Sequence, residues 1–114
     1  MKTLIYHNPK CSKSRATKDI LEEKNMEYQV IEYLKNPPTK QELKEILFGL
    51  GISAKELMRT GESEYKTQNL ANKNDEEMLI QAMINTPILI ERPIVKTDKG
   101  IIIGRPPENV LKIL

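Results

Sequence analysis

The only cysteine and the only histidine of this 114-residue chain lie four residues apart, in His7-Asn8-Pro9-Lys10-Cys11-Ser12-Lys13-Ser14-Arg15. A preceding apolar run, Thr3-Leu4-Ile5-Tyr6, predicts a buried strand, and apolar residues at helical spacing follow the loop. Cys11 is therefore predicted at a strand-to-helix turn, where free backbone N–H groups and the helix dipole favour a thiolate and a bound anion. Because its neighbours are polar and basic, we interpret Cys11 as a nucleophile rather than a small core residue.

Three side chains near Cys11 are candidates for supporting a thiolate. His7 could hold the sulfur anion by charge or hydrogen bonding, or it could simply pack at the end of the strand, and the sequence leaves both interpretations open. Ser14 makes the motif C-x-x-S, so it can donate a hydrogen bond but cannot resolve a disulfide; a helix cap is its alternative role. Asn8 is predicted to brace the loop through its backbone. A solitary cysteine must obtain its second thiol from another molecule.

Arginine is rare and occurs mostly where regular structure breaks. Only four of the 18 basic residues are arginine, and three of them precede or follow glycine or proline segments: Arg59, Arg92 and Arg105. The planar guanidinium matches the oxygens of carboxylates, phosphates and related anions. These arginines could therefore bind an oxyanion near Cys11, or each could pair with a nearby carboxylate. Arg15 is assigned to the loop itself, and Pro93, which follows Arg92, could form a cis bond that holds backbone against the loop.

Length and composition favour one domain covering residues 1–114. The net charge is only +2, so no whole-molecule field indicates binding to nucleic acid or to an anionic membrane. The sequence contains neither a membrane-spanning apolar run nor a signal peptide, and we expect a cytoplasmic protein with a free thiol. We further expect a monomer with no metal and no bound cofactor.

The pattern of elements predicts an α/β fold with a mixed sheet flanked by helices. A strand over Tyr28–Tyr33 follows the first helix, and this strand-helix-strand order implies parallel pairing. Prolines at positions 37 and 38 then open a helical segment that is inserted between a βαβ half and a ββα half.

Local signals define the inserted helices and the last strands. Thr39 with Glu42 and Ser53 with Glu56 have the form of capping boxes. Asn74 or Asp75 can cap a later helix, whose Met78 and Met83 are predicted in the core. Ile88–Ile90 is predicted as a strand, followed by a hairpin that turns at residues 97–100 and by a short final helix after Pro106 and Pro107.

These residues together resemble the glutaredoxin-coupled arsenate reductases, a branch of the thioredoxin-like superfamily. The resemblance runs along the whole chain, through these segments: Tyr6-His7-Asn8-Pro9, Cys11-x-x-Ser14-Arg15, Tyr33-Leu34, Asn36-Pro37-Pro38, Gly51-Ile52-Ser53, Leu57-Met58-Arg59, Pro87-Ile88-Leu89-Ile90, Arg92-Pro93-Ile94-Val95 and Gly104-Arg105-Pro106. It implies a thioredoxin-like fold and a reaction in which arsenate is reduced to arsenite.

The resemblance also implies roles for individual residues. Cys11 matches the catalytic nucleophile, and the oxyanion is bound by the arginines Arg59, Arg92 and Arg105. His7 and Ser14 match positions that support the thiolate. Glutathione is implied as co-substrate, forming a mixed disulfide with Cys11, and glutaredoxin as the partner that clears it.

A second class of function shares the same scaffold. Spx-type regulators resemble this chain and bind RNA polymerase, often with a C-x-x-C redox switch. Ser14 argues against such a dithiol switch but leaves a protein-binding role open. The sequence therefore predicts an arsenate reductase, with a non-catalytic regulator as the alternative.

Overall fold

The computed structural model describes residues 3–114, which form two compact units. The sheet unit contains the described part of Met1–Asn36 together with Arg92–Leu114, and the helical unit contains Pro37–Glu91. The helical unit is the insertion expected from the sequence. The assignment of residues 1–114 to a single domain stays a prediction.

The sheet unit is built on four strands in the order β2-β1-β3-β4. Their bounds are β1 Thr3–Tyr6, β2 Tyr28–Ile31, β3 Ile94–Thr97 and β4 Gly100–Ile103. β1 pairs in parallel with β2 and antiparallel with β3, and β3 and β4 form the predicted hairpin. The mixed sheet is therefore confirmed. β2 ends two residues earlier than predicted because the N–H groups of Lys35 and Asn36 both donate to the Glu32 carbonyl and close a turn.

Helix α1, Ser12–Glu23, connects β1 to β2. Its buried residue Leu21 packs with Ile5 and Val95 of the sheet and with Val110 and Ile113 of the final segment. That segment, predicted as a short helix, is a 3₁₀ helix over Pro107–Ile113. Apolar burial against one sheet face thus holds the start of α1 at the end of β1.

The helical unit contains α2 Lys40–Leu50, α3 Ala54–Leu57, α4 Ser63–Thr67 and α5 Glu76–Asn85, with a short 3₁₀ helix at Leu70–Asn72. Both predicted capping boxes are confirmed, since Thr39 and Ser53 each accept a hydrogen bond from the backbone N–H three residues later. Asp75 caps α5 in the same way. No helix within residues 3–114 has the length and apolar character needed to span a membrane.

Two sequence predictions in the helical unit are wrong. Ile88–Ile90 does not form a strand: residues Pro87–Leu89 form a 3₁₀ helix, and Ile90 makes only an isolated bridge to Met58. The run has only three residues and directly follows Pro87. A short apolar run can be buried either in a strand or in a turn, and here Leu89 is buried in a turn. Met78, predicted in the core, is 50% exposed, whereas its neighbour Ile80 is buried.

Candidate functional site

The loop between β1 and α1 is held by hydrogen bonds to its own backbone. The His7 N–H donates to the Ile31 carbonyl, 2.8 Å away, which ties the loop to the end of β2. The Asn8 carbonyl accepts from the Cys11 N–H, and Asn8 Oδ1 accepts from the Lys10 N–H, each at 3.0 Å. Asn8 therefore braces the turn as predicted. Arg15 adds a further bond from Nη1 to the Pro9 carbonyl at 2.8 Å.

Cys11 is the N-cap residue of α1, and its free thiol is 9% exposed. Burial acts to raise the pKa of this thiol. Four influences outweigh that effect: hydrogen bonds from the Ser14 N–H, the Arg92 side chain and the Lys13 N–H, and the positive charge of Arg92. The pKa of the thiol therefore lies below the ordinary value of 9.0. The expected thiolate at a helix start is thus supported by the backbone of α1 and by one arginine.

His7 and Ser14 interact with each other beneath the loop. His7 Nδ1 lies 2.6 Å from Ser14 Oγ, and both side chains are buried. Ser14 Oγ also accepts from the Asn8 N–H at 3.0 Å. Burial, followed by the positive charge of Lys18, lowers the pKa of His7, which keeps the ring neutral at pH 7. Ser14 donates a hydrogen bond to the sulfur through its backbone N–H, and its hydroxyl helps hold the loop. Direct support of the thiolate by His7 stays a prediction.

Arg92 and Arg105 lie on adjacent segments of the sheet unit. The Arg105 Nη1 atom is 3.4 Å from the Arg92 carbonyl oxygen, and the Gly104 N–H donates to the Pro93 carbonyl at 2.9 Å. The Arg92–Pro93 peptide bond is cis. The structure therefore brings the Arg92–Pro93 segment, the Arg105 side chain and the Cys11 loop into one unit.

Arg59 belongs to the helical unit and is paired with carboxylates there. Its Nη1 atom lies 2.7 Å from Glu91 Oε1 and its Nε atom 3.3 Å from Glu62 Oε2. Its backbone N–H donates to the Leu89 carbonyl at 2.8 Å. Carboxylate pairing was one of the two roles that the sequence left open for each arginine, and the assignment of Arg59 to an oxyanion site stays a prediction.

Sequence reasoning missed a close contact that positions the arginine segments. A Cβ atom built on Gly104 would lie 2.5 Å from Thr17 Oγ1 and 2.8 Å from Pro93 Cγ. Thr17 is fully buried on α1, and its hydroxyl donates to the Lys13 carbonyl at 2.8 Å. Only glycine fits between these two side chains, a requirement that the Gly-Arg-Pro spacing alone does not reveal.

The sequence placed Tyr33 at the end of a strand and did not include it among the candidate site residues. Tyr33 is 1% exposed, and its hydroxyl has no hydrogen-bond partner among residues 3–114. Burial raises its pKa, the nearby Arg92 and Asn8 side chains act to lower it, and the Cys11 thiolate acts to raise it. An aromatic residue in a β-branched run has the same pattern as a core residue, so no sequence signal distinguishes the two.

The chemistry available at this loop is nucleophilic attack by a thiolate on an anionic substrate. Donors from α1 and the Arg92 guanidinium surround the sulfur and favour negative charge there. An open cavity of about 400 Å³ adjoins the loop and is lined by His7, Asn8, Pro9, Lys10, Glu32, Leu34 and Lys35. Among residues 3–114, no group of three or more His, Cys, Asp or Glu side chains could hold a metal ion.

The chain matches one protein-family model over almost its whole length. The model of the ArsC family matches residues 6–113. An uncharacterized Escherichia coli protein, YfgD, is 51% identical over 112 residues, covering 96% of this chain and 94% of that protein. An arsenate reductase of Neisseria meningitidis is 44% identical over 112 residues and covers 96% of each chain.

Solved structures agree with the fold described above. The arsenate reductase from Vibrio cholerae superposes with a TM-score of 0.95 and 46% sequence identity, covering 100% of this chain and 98% of that chain. At this identity and coverage the two proteins share the same fold. The prediction of a thioredoxin-like α/β fold is therefore confirmed.

Proposed function

Because the chain belongs to the ArsC family, we propose that it reduces arsenate to arsenite with Cys11 as its single nucleophile. The substrate is inferred from relatives named arsenate reductase. The observation that carries the proposal is the lowered pKa of the Cys11 thiol, which is produced by the α1 backbone and by Arg92. A thiolate bordered by a guanidinium suits an oxyanion electrophile.

The proposed reaction has three steps. The Cys11 thiolate attacks arsenic, forming a sulfur–arsenic bond, and one arsenate oxygen leaves as water after protonation. A glutathione thiol then attacks the Cys11 sulfur and loses its proton; a disulfide bond forms, the sulfur–arsenic bond breaks, and its electron pair reduces arsenic(V) to arsenic(III). Glutaredoxin finally exchanges its own thiol into the mixed disulfide and frees Cys11. External thiols are needed because Cys11 is the only cysteine in the chain.

In this proposal Arg92 binds the substrate oxygens beside the sulfur, together with Arg59 and Arg105. The effect of Arg92 on the Cys11 pKa supports its role. For Arg59 and Arg105 the support is the resemblance to the family. The reaction consumes reduced glutathione, so we place it in the cytoplasm. We also expect the protein to be a monomer. The relatives named above give no support to the Spx-type alternative.

A coupled assay tests this function. Arsenate, glutathione, glutaredoxin and NADPH are supplied, and NADPH oxidation is followed for wild type and for Cys11→Ser. We expect turnover by wild type and only background oxidation by the variant. Serine is a good N-cap, so Cys11→Ser should unfold cooperatively well above the assay temperature, which would show that lost activity is not lost folding. Arsenate-dependent turnover equal in the two proteins, or absent from both, would contradict the proposal.

A further inference from the structure

We propose that Tyr33 is an additional oxyanion-binding residue, whose phenol hydroxyl donates a hydrogen bond to a substrate oxygen held beside Cys11. The inference rests on the proposed function for the identity of that oxyanion. The donors described so far are backbone N–H groups and arginine side chains, and Tyr33 would add an uncharged side-chain donor.

The first observation is that the Tyr33 hydroxyl lacks a partner. The side chain is 1% exposed, so water does not solvate it freely, and no acceptor or donor among residues 3–114 makes a hydrogen bond with it. Buried tyrosine hydroxyls ordinarily find a partner, because an unsatisfied polar group in the interior is costly. A ligand oxygen would satisfy this hydroxyl.

The second observation is the position of Tyr33. It follows β2, whose last residue, Ile31, is bonded to the start of the Cys11 loop. The residues on either side of it, Glu32 and Leu34, line the cavity that Asn8 also lines. Tyr33 is thus a buried residue in the segment that follows β2 and borders the cavity beside the loop.

The electrostatic surroundings of Tyr33 agree with this position. After burial, the groups that influence its pKa are the Arg92 and Asn8 side chains and the Cys11 thiolate. Asn8 and Cys11 belong to the loop whose first residue, His7, is bonded to Ile31, two residues before Tyr33. Arg92 and Asn8 are close to the phenol, yet neither completes a hydrogen bond of ordinary geometry with it.

The chemistry favours an anion as the missing partner. Burial raises the pKa of Tyr33, so its hydroxyl stays protonated and can donate at neutral pH. Arg92 is itself a donor and cannot accept from the phenol. A tetrahedral oxyanion offers several acceptor oxygens and could accept from the guanidinium and the phenol together.

The test compares Tyr33→Phe with the control Tyr28→Phe. The Tyr28 hydroxyl donates to Glu22 Oε1 at 2.6 Å on the surface of the same unit, so the control also removes one phenol oxygen. Arsenate affinity is measured for each protein as protection of Cys11 from iodoacetamide. We expect Tyr33→Phe to weaken arsenate binding about ten- to hundredfold, to raise the KM for arsenate without changing that for glutathione, and to leave Tm unchanged or raised.

The Tm measurement separates binding from a structural role. A hydroxyl that held the fold would lower Tm when removed, whereas a hydroxyl reserved for a ligand breaks no bond in the free protein. A lowered Tm, or an unchanged affinity for arsenate, would overturn the inference. A second measurement observes the phenol directly in protein that contains 3-fluorotyrosine, where the Tyr33 ¹⁹F resonance is assigned as the one missing from Tyr33→Phe. Arsenate should shift the Tyr33 resonance and leave that of Tyr28 in place, and the absence of a shift at Tyr33 would also overturn the inference.

The failure of this inference can be distinguished from failure of the proposed function. Arsenate turnover by wild type with unchanged kinetics in Tyr33→Phe would overturn only the role of Tyr33. If wild type shows no turnover, but arsenate or inorganic phosphate protects Cys11 and Tyr33→Phe weakens that protection, the Tyr33 inference holds and the reductase proposal fails. If neither oxyanion protects wild type, both are overturned.

Discussion

The N-termini of α1 and α2 are satisfied in opposite ways. At α2, the Thr39 side chain accepts from the Glu42 N–H, and the Glu42 carboxylate accepts from the Thr39 N–H in return. At α1, the N-cap is Cys11, no side chain caps the first turn, and that turn contains no acidic residue. The N–H groups of Lys13 and Ser14 instead stabilise negative charge on the Cys11 sulfur.

The start of α2 therefore stabilises its own helix, whereas the start of α1 stabilises negative charge on Cys11. A side-chain cap contributes about 1 kcal/mol to a helix, and α2 receives that contribution from Thr39 and Glu42. Helix α1 lacks such a cap and leaves its dipole available to a thiolate and a bound anion. Its position depends on packing, through buried Leu21 and through the contact of Thr17 with Gly104.

The largest effect should come from breaking the packing that replaces the cap. Gly104→Ala would place a methyl group 2.5 Å from Thr17 Oγ1 and 2.8 Å from Pro93 Cγ, so one of the two segments must move. We expect a loss of about 1–3 kcal/mol in the free energy of unfolding and slower alkylation of Cys11. Urea unfolding and iodoacetamide kinetics measure the two effects.

Gly61→Ala is the matched control for this substitution. Nothing lies within 4 Å of a Cβ built on Gly61 in the helical unit, so its free energy of unfolding should change by less than about 0.5 kcal/mol. Adding Thr17→Ala to Gly104→Ala removes one of the two neighbours and should recover part of the loss. Equal destabilisation by Gly61→Ala and Gly104→Ala would contradict the packing argument.

A smaller effect should follow from removing the α2 cap. Thr39→Ala removes the side-chain oxygen that accepts from the Glu42 N–H, whereas the backbone N–H of residue 39 can still donate to the Glu42 carboxylate. We expect the loss of the first bond to cost about 1 kcal/mol. Thr39→Ser keeps a hydroxyl and should retain most of the stability, so the two variants can be compared in urea. If serine and alanine destabilise the protein equally, the box does not stabilise α2.

The smallest effect should come from giving α1 the acidic first turn that α2 has. Lys13→Glu places a carboxylate near the N-terminus of α1, which stabilises the helix by about 0.3–1 kcal/mol while opposing the thiolate. The pKa of Cys11 should rise, and the pH midpoint of its alkylation should move upward. Lys13→Gln removes the same positive charge without adding a negative one, and an equal shift in both variants would show that the carboxylate has no influence.

The same pKa predicts how stability depends on pH. The folded thiol has a pKa below its ordinary value of 9.0, so the thiolate stabilises the protein fully above the unfolded pKa, and this stability is lost as the pH falls through the folded pKa. The difference in stability between wild type and Cys11→Ser should therefore grow as the pH rises toward 9 under reducing conditions. Lys13→Glu should reduce that growth.

Local signals were sufficient for much of this fold. The capping boxes at Thr39 and Ser53, the parallel strand-helix-strand unit and the hairpin were all predicted, because each depends on residues close together in the sequence. The thiol loop was predicted for the same reason, since the end of a strand, a cysteine and the start of a helix are consecutive.

The failures came where a residue's partner lies far along the chain. The apolar run Ile88–Ile90 predicts a strand, but among the described residues its pairing is limited to one bridge from Ile90 to Met58, far earlier in the chain. The sequence left each arginine with two possible roles, and tertiary contacts give Arg59 two carboxylate partners while bringing Arg92 near Cys11.

The sequence by itself determined that one cysteine stands at the start of a helix, because the end of the strand, the cysteine and the first turn are neighbours in the chain. Tertiary structure decided what surrounds that sulfur. Along the sequence, the residues of the helical unit lie between Cys11 and Arg92. The hydroxyl of Tyr33 is left without a partner only because the folded chain buries it. Burial and long-range electrostatics depend on three-dimensional proximity, which local sequence patterns do not encode.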